Sequence, residues 1–240
     1  MGIKQQKVLV LGDGLLGSEL VKQTGWEYVS RKKNKKDLYS LLPIVLFSEA
    51  DIIVNCIANT DTYSLDKESI MNVNYRFVVQ LVDELNLMSF SRKTKKKLVQ
   101  ISTDYVYSNS IPYAKETDVP VHNATWYSYS KLLADGYIET FSDNYLIGRM
   151  GHKPKPFPYE KAWKNQIGNF DYVDDQVKRL IKLINNGDSG IVNVGGEVMS
   201  MYELAKQTKK DVEPNECDFP VPNNVTMSIN EIFKGTSNGQ

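Results

Sequence analysis

Short apolar runs alternate along this chain with segments whose apolar residues recur at helical spacing. KVLVLG (7–12) is continuous enough in Val and Leu for a buried strand. A helical pattern from Leu15 to Gln23 and a short strand at Glu27 to Ser30 follow it. DIIVNC (51–56) predicts the next strand. From Lys67 to Phe90 the positions Ile70, Val73, Phe77, Leu81 and Leu85 share one face, which predicts a single long helix. KLVQIS (97–102) and NYLIGR (144–149) predict strands on either side of a helix containing WYSYSKLLADGY (126–137). A helix from Asp174 to Asn185, a strand at GIVNVG (190–195) and a helix from Ser200 to Lys206 complete the series.

Alternation of this kind implies an α/β fold, a doubly wound parallel sheet of Rossmann type with helices on both faces. The weakest patterns lie in 151–171, rich in Pro, Lys and aromatics, and in the polar tail after about 209. The first reads either as a surface connection or as a substrate loop.

Composition narrows the function classes. Lys+Arg and Asp+Glu both number 29, so no net charge draws the chain to nucleic acid or to an anionic membrane. No apolar run reaches the roughly 18 residues needed to span a bilayer. The strand pattern starts so near Met1 that a signal peptide has no room, so a cytoplasmic protein is expected. Cys56, inside an apolar run, is expected to be a buried thiol, and with only Cys217 beside it no disulfide framework is expected. His122 and His152 stand apart from any Cys/His cluster, so no metal site is expected and His152 reads as incidental. The basic runs at 31–36 and 92–97 read as solvated loops, with Arg31 the exception below.

Three features carry chemistry. Gly12-x-Gly14-x-x-Gly17 follows a strand and opens a helix. There the first glycine permits a tight turn, the second lets backbone approach a pyrophosphate and the third allows close helix–strand packing. Leu15 and Leu16 belong to the same phosphate-facing turn. At the end of the second strand, Ser30 and Arg31 stand where an NAD site carries an acid. A guanidinium suits a 2′-phosphate, so NADP(H) is the expected cofactor. Tyr127 and Lys131 are one helical turn apart and share a face, whereas Tyr129 and Lys131 do not. Tyr129 and Tyr137 therefore fall to packing roles. A phenol of pKa near 10 becomes a useful acid–base group when a cation stabilises the phenolate. ISTDYVY (101–107) ends a strand with two hydroxyls, Ser102 and Thr103, either of which can serve the same substrate oxygen.

In this order the motifs resemble the extended short-chain dehydrogenase/reductase family, and within it the dTDP-4-dehydrorhamnose reductases. GDGLLG (12–17), Asp37-Leu38, VNCIANT (54–60), Val73-Asn74, STDYVY (102–107), PY-x-x-E-x-D-x-P (112–120), Tyr-x-x-x-Lys (127–131), VDDQ (173–176) and GIVNVGGEVMSMYELA (190–205) carry the resemblance. It implies a Rossmann domain over 1–150 that binds NADP and holds the catalytic Tyr and Lys. A small, shortened substrate-binding region over 151–240 would pack on it. It further implies Asp37 and Leu38 at the adenine, and Ala58, Asn59, Thr60 and Ser102 beside the cofactor. Tyr127 would protonate a sugar keto oxygen, and Lys131 would hold the nicotinamide ribose and depress the tyrosine pKa. Thr103 would share the keto oxygen, and Asp104 would touch the substrate. The substrate would be a nucleotide-linked 4-keto-6-deoxysugar, and a homodimer is expected.

The chain departs from the family after Arg149, where MGHKPKPFP replaces an aromatic-containing segment, and carries about three extra residues after Thr60. Two other readings therefore stay open. One is a nucleotide-sugar epimerase or epimerase–reductase, which would use the same Tyr and Lys. The other is a non-catalytic NADP-binding subunit with a reduced sugar pocket.

Overall fold

A computed structural model describes residues 6–92, 95–108, 112–120, 125–216 and 222–229. His122 and Cys217 lie outside the described residues. In chain order the elements are β1 (Val8–Leu11), α1 (Leu15–Thr24), β2 (Glu27–Val29), α2 (Arg31–Asn34), α3 (Leu42–Phe47), β3 (Ile52–Asn55), α4 (Lys67–Met71), α5 (Phe77–Arg92), β4 (Lys97–Thr103), α6 (Trp126–Phe141), β5 (Tyr145–Met150), β6 (His152–Lys153), β7 (Lys161–Trp163), β8 (Ile167–Gly168), β9 (Asp171–Tyr172), α7 (Val173–Asn186), β10 (Gly190–Val194), β11 (Met199–Ser200), α8 (Met201–Lys206), β12 (Glu213–Asn215) and β13 (Asn224–Val225).

Six strands form one sheet in the order β10-β5-β4-β3-β1-β2, and every pairing in it is parallel. The apolar runs are buried on both faces, with period-two alternation deciding which core each residue enters. Leu9, Leu11 and Ile53 face α3, α5 and α6. Val8, Val10 and Val54 face α1 and α7. Helices on both faces make this the doubly wound sheet expected of the alternating pattern. The strand order reverses between β2-β1 and β3-β4-β5, so a ligand crevice belongs at the carboxyl ends of these strands.

The predicted single helix over Lys67–Phe90 is instead interrupted. Residues Asn72–Arg76 form a π-helical turn between α4 and α5. The extra residue in that turn accompanies the burial of Asn74, whose amide donates to the Asn59 carbonyl at 3.0 Å and to Ser130 Oγ at 3.2 Å, while its Oδ1 accepts from the Asn59 amide at 2.7 Å. Such turns recur where a helix must aim one residue at a site. The 31–36 run is also more ordered than a loop: Ser30 caps α2, and the Lys33 ammonium lies over the Tyr28 ring.

Residues 151–171 are not a bare connection. β6 pairs with β9 and β8 with β11 and β13, while β7 pairs with β12 from the polar tail. With α8 they enclose a second small core around Phe157, Phe170, Tyr172 and Leu204. Between the two halves of this small unit the chain returns to the main sheet, α7 packing beside α1 and β10 joining β5. Among the described residues no helix is long and apolar enough to cross a membrane.

Two glycines of the first turn test the packing logic. A Cβ on Gly17 would stand 2.2 Å from the Gly12 carbonyl oxygen, whereas one on Gly14 would meet nothing within 4 Å. Gly17→Ala should therefore cost about 1–3 kcal/mol of stability through overpacking. Gly14→Ala should cost less, about 0.5–1 kcal/mol, the gap between glycine and alanine at an N-cap. Urea denaturation of both variants checks this, and equal midpoints would contradict it.

Candidate active site

The carboxyl ends of β1, β3, β4 and β5 open onto one cavity of about 380 Å³. Gly14, Leu15 and Leu16 supply one wall, and Cys56, Ile57, Ala58 and Thr60 the next. Ser102, Thr103 and Asp104 come from β4 and its following turn, Tyr127 and Lys131 from α6, and Gly151, His152 and Lys153 from beyond β5. Gly12 has φ +98°, a conformation that side-chain-bearing residues rarely adopt, and it turns the chain from β1 into α1. The first amides of α1 have no intrahelical acceptor and no side-chain cap, so they remain free for an anion beside the open face of Gly14.

The helical face selected by spacing is the one the structure turns inward. Thr125 caps α6 through the Ser128 amide and sets Tyr127 in its first turn. Thr103 is the hydroxyl that acts on the Tyr127 phenol, favouring its ionised form, and the Tyr127 ring packs edge-on against Tyr105 at 6.4 Å. Tyr129 packs on Trp126, and the Tyr137 hydroxyl donates to Asp83, so neither competes for the site. Of the two hydroxyl candidates, only Thr103 reaches the phenol. The Ser102 hydroxyl donates to Asp135 Oδ2 at 2.9 Å and serves the scaffold.

The charge relation between Tyr127 and Lys131 differs from the expectation. Burial pushes the Tyr127 phenol up to about 12, with the Thr103 hydrogen bond pulling the other way and the carboxylates of Asp104 and Asp135 adding to the rise. Lys131 is 3% exposed. Burial lowers its ammonium to about 8 against the pull of Asp135, and it donates to the Ile101 carbonyl. The two side chains share the cavity, but the cation is spent on backbone and on Asp135 rather than on the phenol. Spacing fixes a common face, not a contact.

Several expected cofactor residues are held for structural work. Ser30 is buried, its hydroxyl donating to Asp13 Oδ2 at 2.8 Å and accepting from the Lys33 amide. Arg31 beside it is exposed. The Asp37 carboxylate accepts from the Ser40 amide and hydroxyl, which keep it below its usual value. Leu38 is in the core of α3 and α5. Asn59 is tied to Asn74 as described.

The cavity also takes in residues from beyond β5 and from the turn after β4. His152 is not incidental: it lines the cavity with its Nδ1 buried and unpartnered, and burial holds the imidazole down to about 4. Lys153 beside it is half-buried. Tyr105 lines the cavity and its hydroxyl accepts from Gln166. Asp104 is 2% exposed. Its Oδ1 accepts from the Thr103 hydroxyl at 3.1 Å, and its Oδ2 has no partner. A Cβ on Gly151 would stand 2.5 Å from that Oδ2, so only glycine fits there. Cys56, expected to be buried, is only half-buried on the cavity wall; desolvation raises its thiol to about 12, so it is inert as a nucleophile at neutral pH.

Comparison with known proteins places this geometry. Residues 6–152 match the family model described as the RmlD substrate binding domain. The spore coat polysaccharide biosynthesis protein SpsK of Bacillus subtilis is 28% identical over 222 residues, covering 83% of this chain and 77% of that protein. Two solved structures share the fold. One, from Sulfolobus tokodaii, is described as a hypothetical dTDP-4-dehydrorhamnose reductase. It is 23% identical, with 97% of this chain and 95% of that one covered and a TM-score of 0.79. The other is dTDP-4-dehydrorhamnose reductase from Bacillus anthracis in complex with NADP, 20% identical, with 97% and 92% covered and a TM-score of 0.79.

The buried carboxyl makes a prediction that needs no ligand. Burial raises Asp104 from 3.8 to about 6, so the folded state holds its proton more tightly than the unfolded chain does. The stability tied to that proton is complete below about pH 4 and is lost as pH rises through 6. Asp104→Asn removes the ionisation, so the variant should gain on the wild type between pH 4 and pH 8, by up to about 3 kcal/mol. Denaturant melts of both proteins across that range measure it; a difference independent of pH would refute it.

Proposed function

The chain belongs to the RmlD substrate binding domain family, as its ordered motifs imply, and on that premise we propose that it is an NADPH-dependent reductase of a nucleotide-linked 4-keto-6-deoxysugar. In type it is a dTDP-4-dehydrorhamnose reductase, acting in the cytoplasm, as a homodimer. One observation carries the reading: Tyr127, Thr103 and Lys131 meet in a single cavity whose rim is the glycine turn. The polysaccharide role in the name of the B. subtilis relative and the NADP in the B. anthracis structure support it.

The residues present fit a dinucleotide. Open space at Gly14 and the uncapped start of α1 suit a pyrophosphate. Gly12, Gly14, Leu15, Leu16 and Gly17 would hold that group, and Arg31 the 2′-phosphate. Asp37 and Leu38 would border the adenine, and Ala58, Asn59, Thr60 and Lys131 would line the nicotinamide end. Ser30 and Ser102 would contribute by fixing Asp13 and Asp135. When bound, the nicotinamide supplies the hydride. Residues 151–240 would provide the substrate-binding portion through the small core around Phe157 and Tyr172.

This chain's own groups handle the proton. Tyr127 is fully protonated at neutral pH, because burial raises its phenol to about 12. It can give that proton to the keto oxygen as negative charge builds there, while the Thr103 hydroxyl would turn its one proton from Asp104 Oδ1 to donate a second hydrogen bond. Lys131, one turn away, would then stabilise the phenolate left behind. The Arg31 argument favours NADPH, which a reductase exchanges each turnover, over the tightly held NAD of an epimerase.

Mixing the protein with NADPH and a panel of dTDP-, GDP- and UDP-linked 4-keto sugars should consume the nicotinamide absorbance with at least one of them. NADPH binding without turnover on any would overturn the reductase in favour of a binding subunit. Tyr127→Phe should lower kcat by roughly 10²–10⁴-fold, the usual worth of a general acid, with NADPH affinity nearly unchanged. Retained activity would remove Tyr127 from the mechanism. Arg31→Ala should weaken NADPH far more than NADH in fluorescence titration, and equal losses would remove the 2′-phosphate contact.

A further inference from the structure

An acid between the first two glycines of a phosphate-binding turn is an awkward placement, because the backbone there has to approach a pyrophosphate. The structure turns the Asp13 carboxylate away from the phosphate-facing start of α1. Its Oδ2 accepts from the Ser30 hydroxyl at 2.8 Å, and its backbone carbonyl accepts from the Ser18 hydroxyl, also at 2.8 Å. The Gly12 amide donates to the Val29 carbonyl at 2.8 Å, which straps the turn to the end of β2. Asp13 is thus held by α1 through its backbone and by the residue after β2 through its side chain.

The end of β2 is where a dinucleotide fold carries the acid that accepts from the adenosine ribose. In this chain Ser30 takes that place, is 1% exposed, and has its hydroxyl committed, donating to Asp13 and accepting from the Lys33 amide. Ser30 is therefore closed to a ribose. Asp13 is open to one: it is half-buried, and its Oδ1 has no hydrogen-bond partner among the described residues. The acid missing from β2 is supplied by the glycine turn, one hydrogen bond away. Arg31, next to Ser30, is exposed, and among the described residues its guanidinium has no hydrogen bond or ion pair. An open carboxylate oxygen and an open guanidinium thus border the same strand end without neutralising each other.

We propose that Asp13 is a specificity-determining residue for the cofactor, its Oδ1 accepting from the 2′-hydroxyl of the adenosine ribose and acting in opposition to Arg31. The inference rests on the reading of this turn as a dinucleotide site. A 2′-hydroxyl brings Asp13 a donor, whereas a 2′-phosphate brings it a second anion. Arg31 has the reverse preference. The choice between the two cofactors is then a difference of two opposed contributions, and each can be removed by itself.

Fluorescence titrations of NADH and of NADPH at one ionic strength compare wild type, Asp13→Asn, Arg31→Ala and the double variant, with thermal melts confirming folding. Asparagine keeps the shape and can still accept from Ser30, so the first variant removes the charge and little else. Asp13→Asn should weaken NADH by roughly 10-fold, the worth of a charge-assisted hydrogen bond, and leave NADPH unchanged or tighter. The same tilt toward NADPH should appear when Asp13→Asn is added to Arg31→Ala. Equal weakening of both cofactors, as a mere brace between the turn and Ser30 would give, overturns the proposal and leaves the dinucleotide site standing. A larger loss of NADPH, or no change in either cofactor, does the same. A wild type that binds neither cofactor overturns both the proposal and the site.

Discussion

The buried ion pair between Arg149 and Asp135 fixes how the rest of the site is assembled. Both side chains are 2% exposed, and Arg149 Nε lies 3.0 Å from Asp135 Oδ2. The guanidinium also donates to the Tyr107 hydroxyl, which in turn donates to Asn193 on β10. Ser102 of β4 donates to the same Asp135 oxygen. One charge pair thus ties β4, β5, β10 and α6 at their shared carboxyl end. A pair so deeply desolvated gains little net stability, but losing one member leaves a buried charge unpaired and costs several kcal/mol. Its consequence is a unique rotation of α6 about its axis, and that rotation is what turns Tyr127 and Lys131 into the cavity.

Asp135 also reaches the chemistry directly. It lies one helical turn beyond Lys131 and is the main influence opposing the fall of that ammonium. Burial brings Lys131 down to about 8 and Asp135 opposes that fall, so one carboxylate serves both the scaffold and the site residue. The same carboxylate adds to the rise of the Tyr127 phenol. A group placed to hold a helix therefore also modulates, beneath the larger effect of burial, the ionisation of both residues on its inward face.

Much of this was legible in the residues. The strands were readable because buried parallel strands are continuous apolar runs, and the glycine turn because strand, glycines and helix come in fixed order. The choice of Tyr127 over Tyr129 followed from helical spacing alone. What spacing does not encode is where a long side chain points once buried, and so the cation expected on the phenol went to the Ile101 carbonyl. The π-helical turn was hidden because the apolar face continues through it; only the buried Asn74 reveals it. β6 to β9 and β12 escaped because two- and three-residue strands leave no period. Lys153 and His152 gave no signal for the same reason, their positions depending on pairings with Asp171 and Tyr172.

Four perturbed groups on the cavity wall share one cause. Burial is the largest influence on Asp104, Tyr127, Lys131 and His152, and in each case it favours the neutral form. At neutral pH Tyr127 and His152 are neutral, while Lys131 near 8 and Asp104 near 6 stay mostly charged in a wall that solvates them poorly. Such a wall is costly to fold around, as the unpartnered Asp104 and His152 atoms attest, and stability alone would favour apolar replacements. Its retention makes sense where a polar ligand supplies the missing partners, because each hydrogen bond then formed recovers a desolvation cost already incurred in folding. Affinity for a ligand with the matching donors and acceptors follows, and so does rejection of one that lacks a single hydroxyl.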